Sequence, residues 1–222
     1  MKTLSGSFIE PVSGQTRRAV LLLHGYGASG KDLIPLASSW GSCLPDTLFM
    51  APNAPEPWEM SPQQGHQWFS LPDLSSETLS EGIEAALPCF HSTLDQVLEH
   101  YLLTEDQVAL VGFSQGAMMV LAAGLSRARP LAAIVAYSGV LAYLETKPVH
   151  ARPPVLLVHG DKDDVVPVSC LETSENQLKK RGVPVTTLIC QNTGHGIDPH
   201  GLQAGGAFLR RHLVSSCDTT VS

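Results

Sequence analysis

Apolar and β-branched residues in this chain fall into short unbroken runs, at 19–23, 47–50, 107–111, 131–136, 155–158 and 185–190. A run without alternation is the pattern of a strand covered on both faces, as in a parallel sheet. Between the runs lie helical patterns at 31–40, 78–103, 117–123, 169–181 and 199–213. Pro88 is expected to kink or restart the second of these, because a proline removes one helical hydrogen bond. The 169–181 pattern carries Glu172 and Glu175 early, Lys179, Lys180 and Arg181 late, and Gly182 just beyond. That charge order suits the helix dipole, and Gly182 can take the left-handed stop. Residues 7–10 read as an edge strand. Strands alternating with helices predict an α/β fold, a mostly parallel sheet with helices on both faces. In such sheets the functional loops lie at the carboxyl ends of the strands. No repeat or linker divides the chain, so one domain is expected over 1–213. Residues 214–222 carry little to pack and are expected to be a flexible tail.

Residues 51–77 interrupt the alternation. They form a long proline-rich loop with Trp58, Trp68 and Phe69, read as aromatics of the exposed type. Loops longer than about 12–15 residues are more often functional than idle. Two readings stay open: Trp68 and Phe69 help wall a binding site, or they fill packing beneath a surface loop.

Composition narrows the classes. Hydrophobic residues are 43% and charged residues 16% of 222, which suits a compact globule. Net charge is −7 with 14 Lys and Arg, and the longest basic run is Lys179–Arg181, which argues against nucleic acid and anionic membranes as partners. Five cysteines, an odd number without metal-type spacing, read as reduced thiols. The start of the chain has no apolar signal-peptide core, and no apolar tract is long enough to span a bilayer. A cytoplasmic protein is expected.

The chemistry centres on Gly112-Phe113-Ser114-Gln115-Gly116, a G-x-S-x-G box between a predicted strand and a predicted helix. Strand, sharp turn and helix form the context of a nucleophile elbow. The two glycines let strand and helix pass closely. The Gln115 N–H, at the helix N-terminus, would face a developing oxyanion. Two later strand ends carry the acids Asp161, Asp163 and Asp164 and then His195. Serine, acid, histidine is the chain order of α/β-hydrolases. An imidazole takes the serine proton, and a carboxylate holds that imidazole in one tautomer. The loop His24-Gly25-Tyr26-Gly27 follows the first long strand, and the Tyr26 N–H is the second candidate oxyanion donor. Of nine histidines, His24 falls in that loop and His159 precedes the acid too closely to oppose it, which favours His195 as base. A metal reading of His195, Asp198 and His200 lacks a partner motif.

The motifs Leu23-His24-Gly25-Tyr26-Gly27, Asp32, Ala51-Pro52-Asn53-Ala54-Pro55, Gln67-Trp68-Phe69, Gly112 to Ala117, His159-Gly160-Asp161-Lys162-Asp163 with Val166-Pro167, and Gly194-His195 occur in one order. Together, over about residues 19–213, they resemble the phospholipase/carboxylesterase family of α/β-hydrolases, which includes acyl-protein thioesterases and bacterial carboxylesterases. The resemblance implies Ser114 as nucleophile, Asp163 as acid and His195 as base. It places the loop around Trp68 beside the site and implies ester or thioester hydrolysis with no cofactor, and no ligand set has the spacing for a metal. Tyr26 and Asp164 stand where members of the family vary. The expected enzyme is a serine carboxylesterase or thioesterase acting on short-to-medium acyl groups, lysophospholipid or acyl-thioester included, through an acyl-enzyme. A homodimer is left open. The rival readings are a ligand-binding α/β-hydrolase without activity and a hydrolase of peptides or C–C bonds on the same fold.

Overall fold

The computed structural model describes residues 4–142 and 147–214. Its strands are β1 Gly6–Ile9, β2 Arg18–Leu23, β3 Thr47–Pro52, β4 Glu56–Pro57, β5 His66–Gln67, β6 Val108–Phe113, β7 Ala133–Tyr137, β8 Val155–Gly160 and β9 Val185–Cys190. The helices are α1 Gly30–Leu33, α2 Pro35–Trp40, α3 Ser76–Tyr101, α4 Gln115–Ser126, α5 Ser169–Lys180 and α6 Pro199–Leu213. Seven strands form one sheet in the order β1-β3-β2-β6-β7-β8-β9. Only β1 at the edge runs antiparallel. Strands β4 and β5 make a small separate ribbon inside the long loop.

The continuous apolar runs are explained by this order. Strands β3, β2, β6, β7 and β8 are interior, and nearly all their side chains are buried. One face packs against α3, α4 and α5 through residues such as Ile83, Phe90, Met119, Leu121 and Leu178. The other packs against α1, α2 and α6 through Leu33, Trp40, Tyr137 and Leu209. Helices thus cover both faces, as the alternation predicts. The register aligns Leu23 with Gly112, Phe113 with Tyr137, and Gly160 with Cys190. Four loops therefore leave the sheet at one edge, and the chemistry gathers there.

Two helix boundaries differ from the sequence pattern. The 31–40 pattern breaks into α1 and α2 at Pro35, which occupies the first position of the second helix, where its missing N–H costs nothing. By contrast α3 runs uninterrupted through Pro88. Its cap, Ser75 accepting the Thr78 N–H, and a buried stripe of Leu79, Ile83, Leu87, Phe90, Leu94 and Val97 together outweigh the ~3 kcal/mol a mid-helix proline costs. Beyond Val214 the expected tail lies outside the described residues.

Helix α6 carries the segment after His195 and is seated through polar bonds. The Tyr137 hydroxyl donates to the Gly201 carbonyl at 3.1 Å, and the Trp40 indole donates to the Leu202 carbonyl at 3.0 Å. A Cβ at Gly205 would overlap the Tyr137 hydroxyl, and one at Gly206 the Trp40 ring. Asp198 caps the helix by accepting the Gly201 N–H at 2.7 Å.

Candidate active site

Ser114 sits between β6 and α4 with φ 54° and ψ −117°, a conformation L-residues rarely adopt. Such strain costs on the order of 1–3 kcal/mol and persists only where the surroundings dictate it. Here the Ser114 N–H donates to the Tyr137 carbonyl at 2.9 Å, and the Ser114 carbonyl accepts from Ala117 at 2.9 Å. Close approach needs the flanking glycines: a Cβ at Gly112 would overlap the Gly116 carbonyl, and one at Gly116 the Leu23 carbonyl. The turn pushes Oγ clear of the sheet.

His195, in the loop after β9, places Nε2 3.0 Å from Ser114 Oγ. Its Nδ1 lies 2.8 Å from Asp163 Oδ2. The structure thus brings Ser114, His195 and Asp163 into one hydrogen-bonded line from three loops. Asp163 is buried, and its Oδ1 accepts the N–H groups of Val165 at 3.0 Å and Val166 at 2.8 Å. Burial pushes its carboxyl up, but the His195 bond and those two backbone donors outweigh it and hold the group below the usual carboxylate range. Asp163 is therefore ionised wherever His195 could work as a base. Its contribution to stability is full above the ordinary Asp value and is lost only as pH falls through the lower folded one.

The other two acids behave differently. Asp164 is exposed. Asp161 is expected to hold backbone N–H groups of its own turn, but Asp163 does that. Asp161 Oδ1 instead accepts the Thr193 N–H at 3.2 Å, and the Lys162 N–H donates to the Thr193 carbonyl at 2.9 Å. These bonds tie the acid loop to the loop carrying His195. The sequence could not assign them, because they join residues from different strand ends.

The oxyanion candidates lie against Ser114. A Cβ at Gly25 would stand 3.4 Å from Ser114 Cβ, so the 25–28 turn touches the serine. That turn closes through the Ala28 N–H on the Gly25 carbonyl at 3.2 Å, which leaves the Tyr26 N–H outside the turn bond. Gln115 is the first residue of α4, so its N–H is one of the four without a helical acceptor. The Gln115 side chain, which no pattern in the sequence singles out, accepts the Trp68 N–H at 2.9 Å and donates to the Phe69 carbonyl at 2.8 Å.

Trp68 and Phe69 are corrected by these contacts. They are 1% and 3% exposed, within the core that packs on α3. The Trp68 indole donates to the His24 carbonyl at 3.0 Å and meets Phe90 edge to face. Gly82 of α3 leaves room for the Phe69 ring. Both rings are buried, so they are not the exposed aromatics expected, and their contacts are those of the packing reading. The long loop instead braces the turn beside Ser114. The His66 backbone exchanges bonds with Gly27 and Ala28, and the Tyr26 hydroxyl donates to Glu59, which also accepts from Ser70 at 2.6 Å. Trp68→Ala should cost about 3–5 kcal/mol of stability and affect all acyl lengths alike. A loss confined to long acyl esters at unchanged Tm would restore the wall reading.

His24, set aside as a base, holds the same turn from inside. Its Nε2 accepts the Ala54 N–H at 3.0 Å, so the proton sits on Nδ1, which donates to the Gly25 carbonyl at 2.8 Å. Burial, assisted by His66, pushes its pKa down to about 4 against the pull of that carbonyl. An imidazole in the unfolded chain gains a proton near pH 6.5, so His24 stability is full above that and is lost as pH falls towards about 4. Urea unfolding at pH 7 and pH 4.5 should differ by about 3 kcal/mol from this group, and His24→Gln should remove that share. An unchanged pH dependence in the variant would contradict the assignment.

Among the described residues no group of three His, Cys, Asp or Glu could hold a metal ion. Asp198 is occupied as a helix cap and His195 as the partner of Ser114 and Asp163, so the two are not arranged as ligands with His200.

The sequence profile of the phospholipase/carboxylesterase family matches residues 4–213. Acyl-protein thioesterase 1 of Gibberella zeae is 29% identical, over 91% of this chain and 94% of its own length. Esterase YpfH of Escherichia coli K12 is 26% identical, over 87% of this chain and 82% of its own. The crystal structure of esterase PE8 superposes with a TM-score of 0.90 at 42% identity, covering 96% of this chain and all of that one. SOBER1 of Arabidopsis thaliana superposes with a TM-score of 0.78 at 23% identity, over 89% of this chain and 100% of its own, and supports the fold alone.

Proposed function

The chain belongs to the phospholipase/carboxylesterase family, and from that premise we propose that it is a serine esterase hydrolysing short-to-medium acyl esters or thioesters through an acyl-enzyme. The observation that carries the proposal is the unbroken line Ser114 Oγ, His195, Asp163, with bonds of 3.0 and 2.8 Å. Ser114 Oγ attacks the acyl carbonyl while His195 Nε2 accepts its proton. Asp163 stays ionised and stabilises the imidazolium through Nδ1–H. The carbonyl oxygen, now negative, accepts the Tyr26 and Gln115 N–H groups. Collapse of the tetrahedral adduct breaks the bond to the alcohol or thiol, which leaves with the His195 proton. Water, deprotonated by the same nitrogen, attacks the acyl-serine and releases the acid. Every step is served by side chains and backbone of this chain, so no cofactor and no metal are included in the proposal. The acyl-thioesterase and esterase relatives support both leaving groups.

We place the enzyme in the cytoplasm, in keeping with the free thiols of Cys43, Cys89, Cys170 and Cys190. Among the described residues no helix is long and apolar enough to cross a membrane. Residues 1–213 acting as one domain are part of the same proposal, supported by the family match over 4–213.

The test is a panel of acyl esters and thioesters of graded chain length, run across pH. Turnover should be measurable for short and medium chains, with kcat/KM falling towards acid pH, because a protonated imidazole can no longer accept the serine proton. No turnover on any member, or a profile flat down to about pH 5, would count against it.

A further inference from the structure

His159 is the last residue but one of β8 and is 2% exposed. Its Nε2 lies 2.8 Å from the Val166 carbonyl oxygen. A carbonyl only accepts, so Nε2 carries the proton. The same nitrogen lies 3.3 Å from Asp163 Oδ2, the oxygen that faces His195. Among the described residues Oδ2 therefore has two imidazole neighbours, one on each side. The Asp163 side chain is itself fully buried, and its Oδ1 closes the turn through Val165 and Val166. His159 thus closes that turn a second time, from the carbonyl side, and packs its Nε2 edge against the carboxylate.

We propose that His159 is a positioning residue for the reaction: its Nε2–H, given to the Val166 carbonyl, and its ring edge 3.3 Å from Asp163 Oδ2 fix the carboxylate that orients His195. The proposal rests on the esterase reading above. Two consequences follow from the geometry. First, the carboxylate cannot swing away from His195 without breaking bonds at both oxygens. Second, the positive N–H edge of His159, 3.3 Å from Oδ2, offsets part of the carboxylate charge, so it weakens the hold of Asp163 on the imidazolium that forms during attack. Removing the donor should therefore loosen the geometry and also make the imidazolium easier to form.

The groups that face this cluster are known. Burial pushes up the thiol of Cys170, in the first turn of α5, and the nearby Asp163 adds to it. Asp161 is engaged with Thr193 and Lys162 with Asn192. Asp198, at the start of α6, is held by the Gly201 N–H, with His200 beside it. The Phe113 ring lies 4.9 Å from that of His195, centre to centre.

The experiment compares wild type with His159→Leu and His159→Gln, with Ser114→Ala and Asp163→Asn alongside, reading kcat, KM, Tm and the acid limb of kcat/KM. His159→Leu should lower kcat about tenfold to a hundredfold, the scale of a misplaced catalytic geometry, with KM nearly unchanged. Its acid limb should move to higher pH. His159→Gln, which keeps an N–H of similar reach, should recover most of kcat and return the limb towards wild type. Equal losses of Tm in both variants, with kcat and the acid limb at wild-type values, would overturn the proposal. Should His159→Leu fail to fold, His159→Asn, whose amide is one methylene too short, replaces it with the same outcomes required. On the wild-type protein, nitrogen NMR should find His159 protonated at Nε2, and the opposite tautomer would overturn the assignment. If Ser114→Ala keeps its rate, the esterase reading fails and this one with it. If Ser114→Ala and Asp163→Asn are inactive while His159→Leu is unaffected, only the role of His159 fails.

Discussion

Replacing Ser114 by alanine should reduce kcat on the order of 10⁶-fold, as serine triads lose when the nucleophile is removed. The loss corresponds to about 8 kcal/mol of barrier, and among the other residues of the site only removal of the His195 imidazole should approach it. KM and fold should change little. The serine hydroxyl donates no bond that the fold depends on; its recorded partner is His195. The backbone at residue 114 is strained whether the side chain is serine or alanine, since both carry a Cβ at positive φ. Tm should therefore stay close to wild type. Rates and melting curves on the purified variant decide it. A rate within tenfold of wild type would mean that another residue attacks.

Asp163→Asn is the second large effect. The amide is nearly the same size, and Oδ1 can still accept the Val165 and Val166 N–H groups. It can no longer accept from His195 as an ion. An amide N–H turned towards Nδ1 would hold the wrong imidazole tautomer. A fall in kcat of roughly 10⁴ is expected with the fold retained. The neighbours separate the roles. Asp161→Asn should mainly cost stability, about 1 kcal/mol for weakening its bond to Thr193. Asp164→Asn, at an exposed position, should change neither rate nor Tm. If Asp161→Asn were the inactive variant at unchanged Tm, the acid would be misassigned while the serine chemistry stood.

How much of this was legible in the sequence varies with the range of the contacts. The interior strands were readable because a strand covered on both faces leaves an unbroken apolar run, as at 19–23 and 155–158. The elbow was readable because its requirement is local: Gly112 and Gly116 stand where a Cβ would strike backbone. The chain order of Ser114, the acid cluster and His195 was readable once three strand ends had been placed. What failed were inferences about how particular side chains pack once the loops and helices meet. Trp68 and Phe69 look like exposed loop aromatics until Gln115 is seen holding their backbone and Gly82 making room for a ring. Asp161 looks like a turn acid until Thr193 arrives from another strand end. Pro88 looks like a helix break until the packing of α3 is counted. His24 and His159 were excluded as bases on sound grounds, yet both sit within hydrogen-bond reach of the groups that surround Ser114. Their signal was available: each ends a buried strand, where an imidazole must find partners or pay for burial.

The most direct measurement is intact-mass and peptide mass spectrometry after treatment with a fluorophosphonate that mimics an acyl ester. One adduct per chain, on Ser114, lost in Ser114→Ala and slowed in Asp163→Asn, is the expected result. Labelling on any other residue, or an unlabelled wild-type protein that nonetheless turns over esters, would contradict the acyl-enzyme mechanism at its first step.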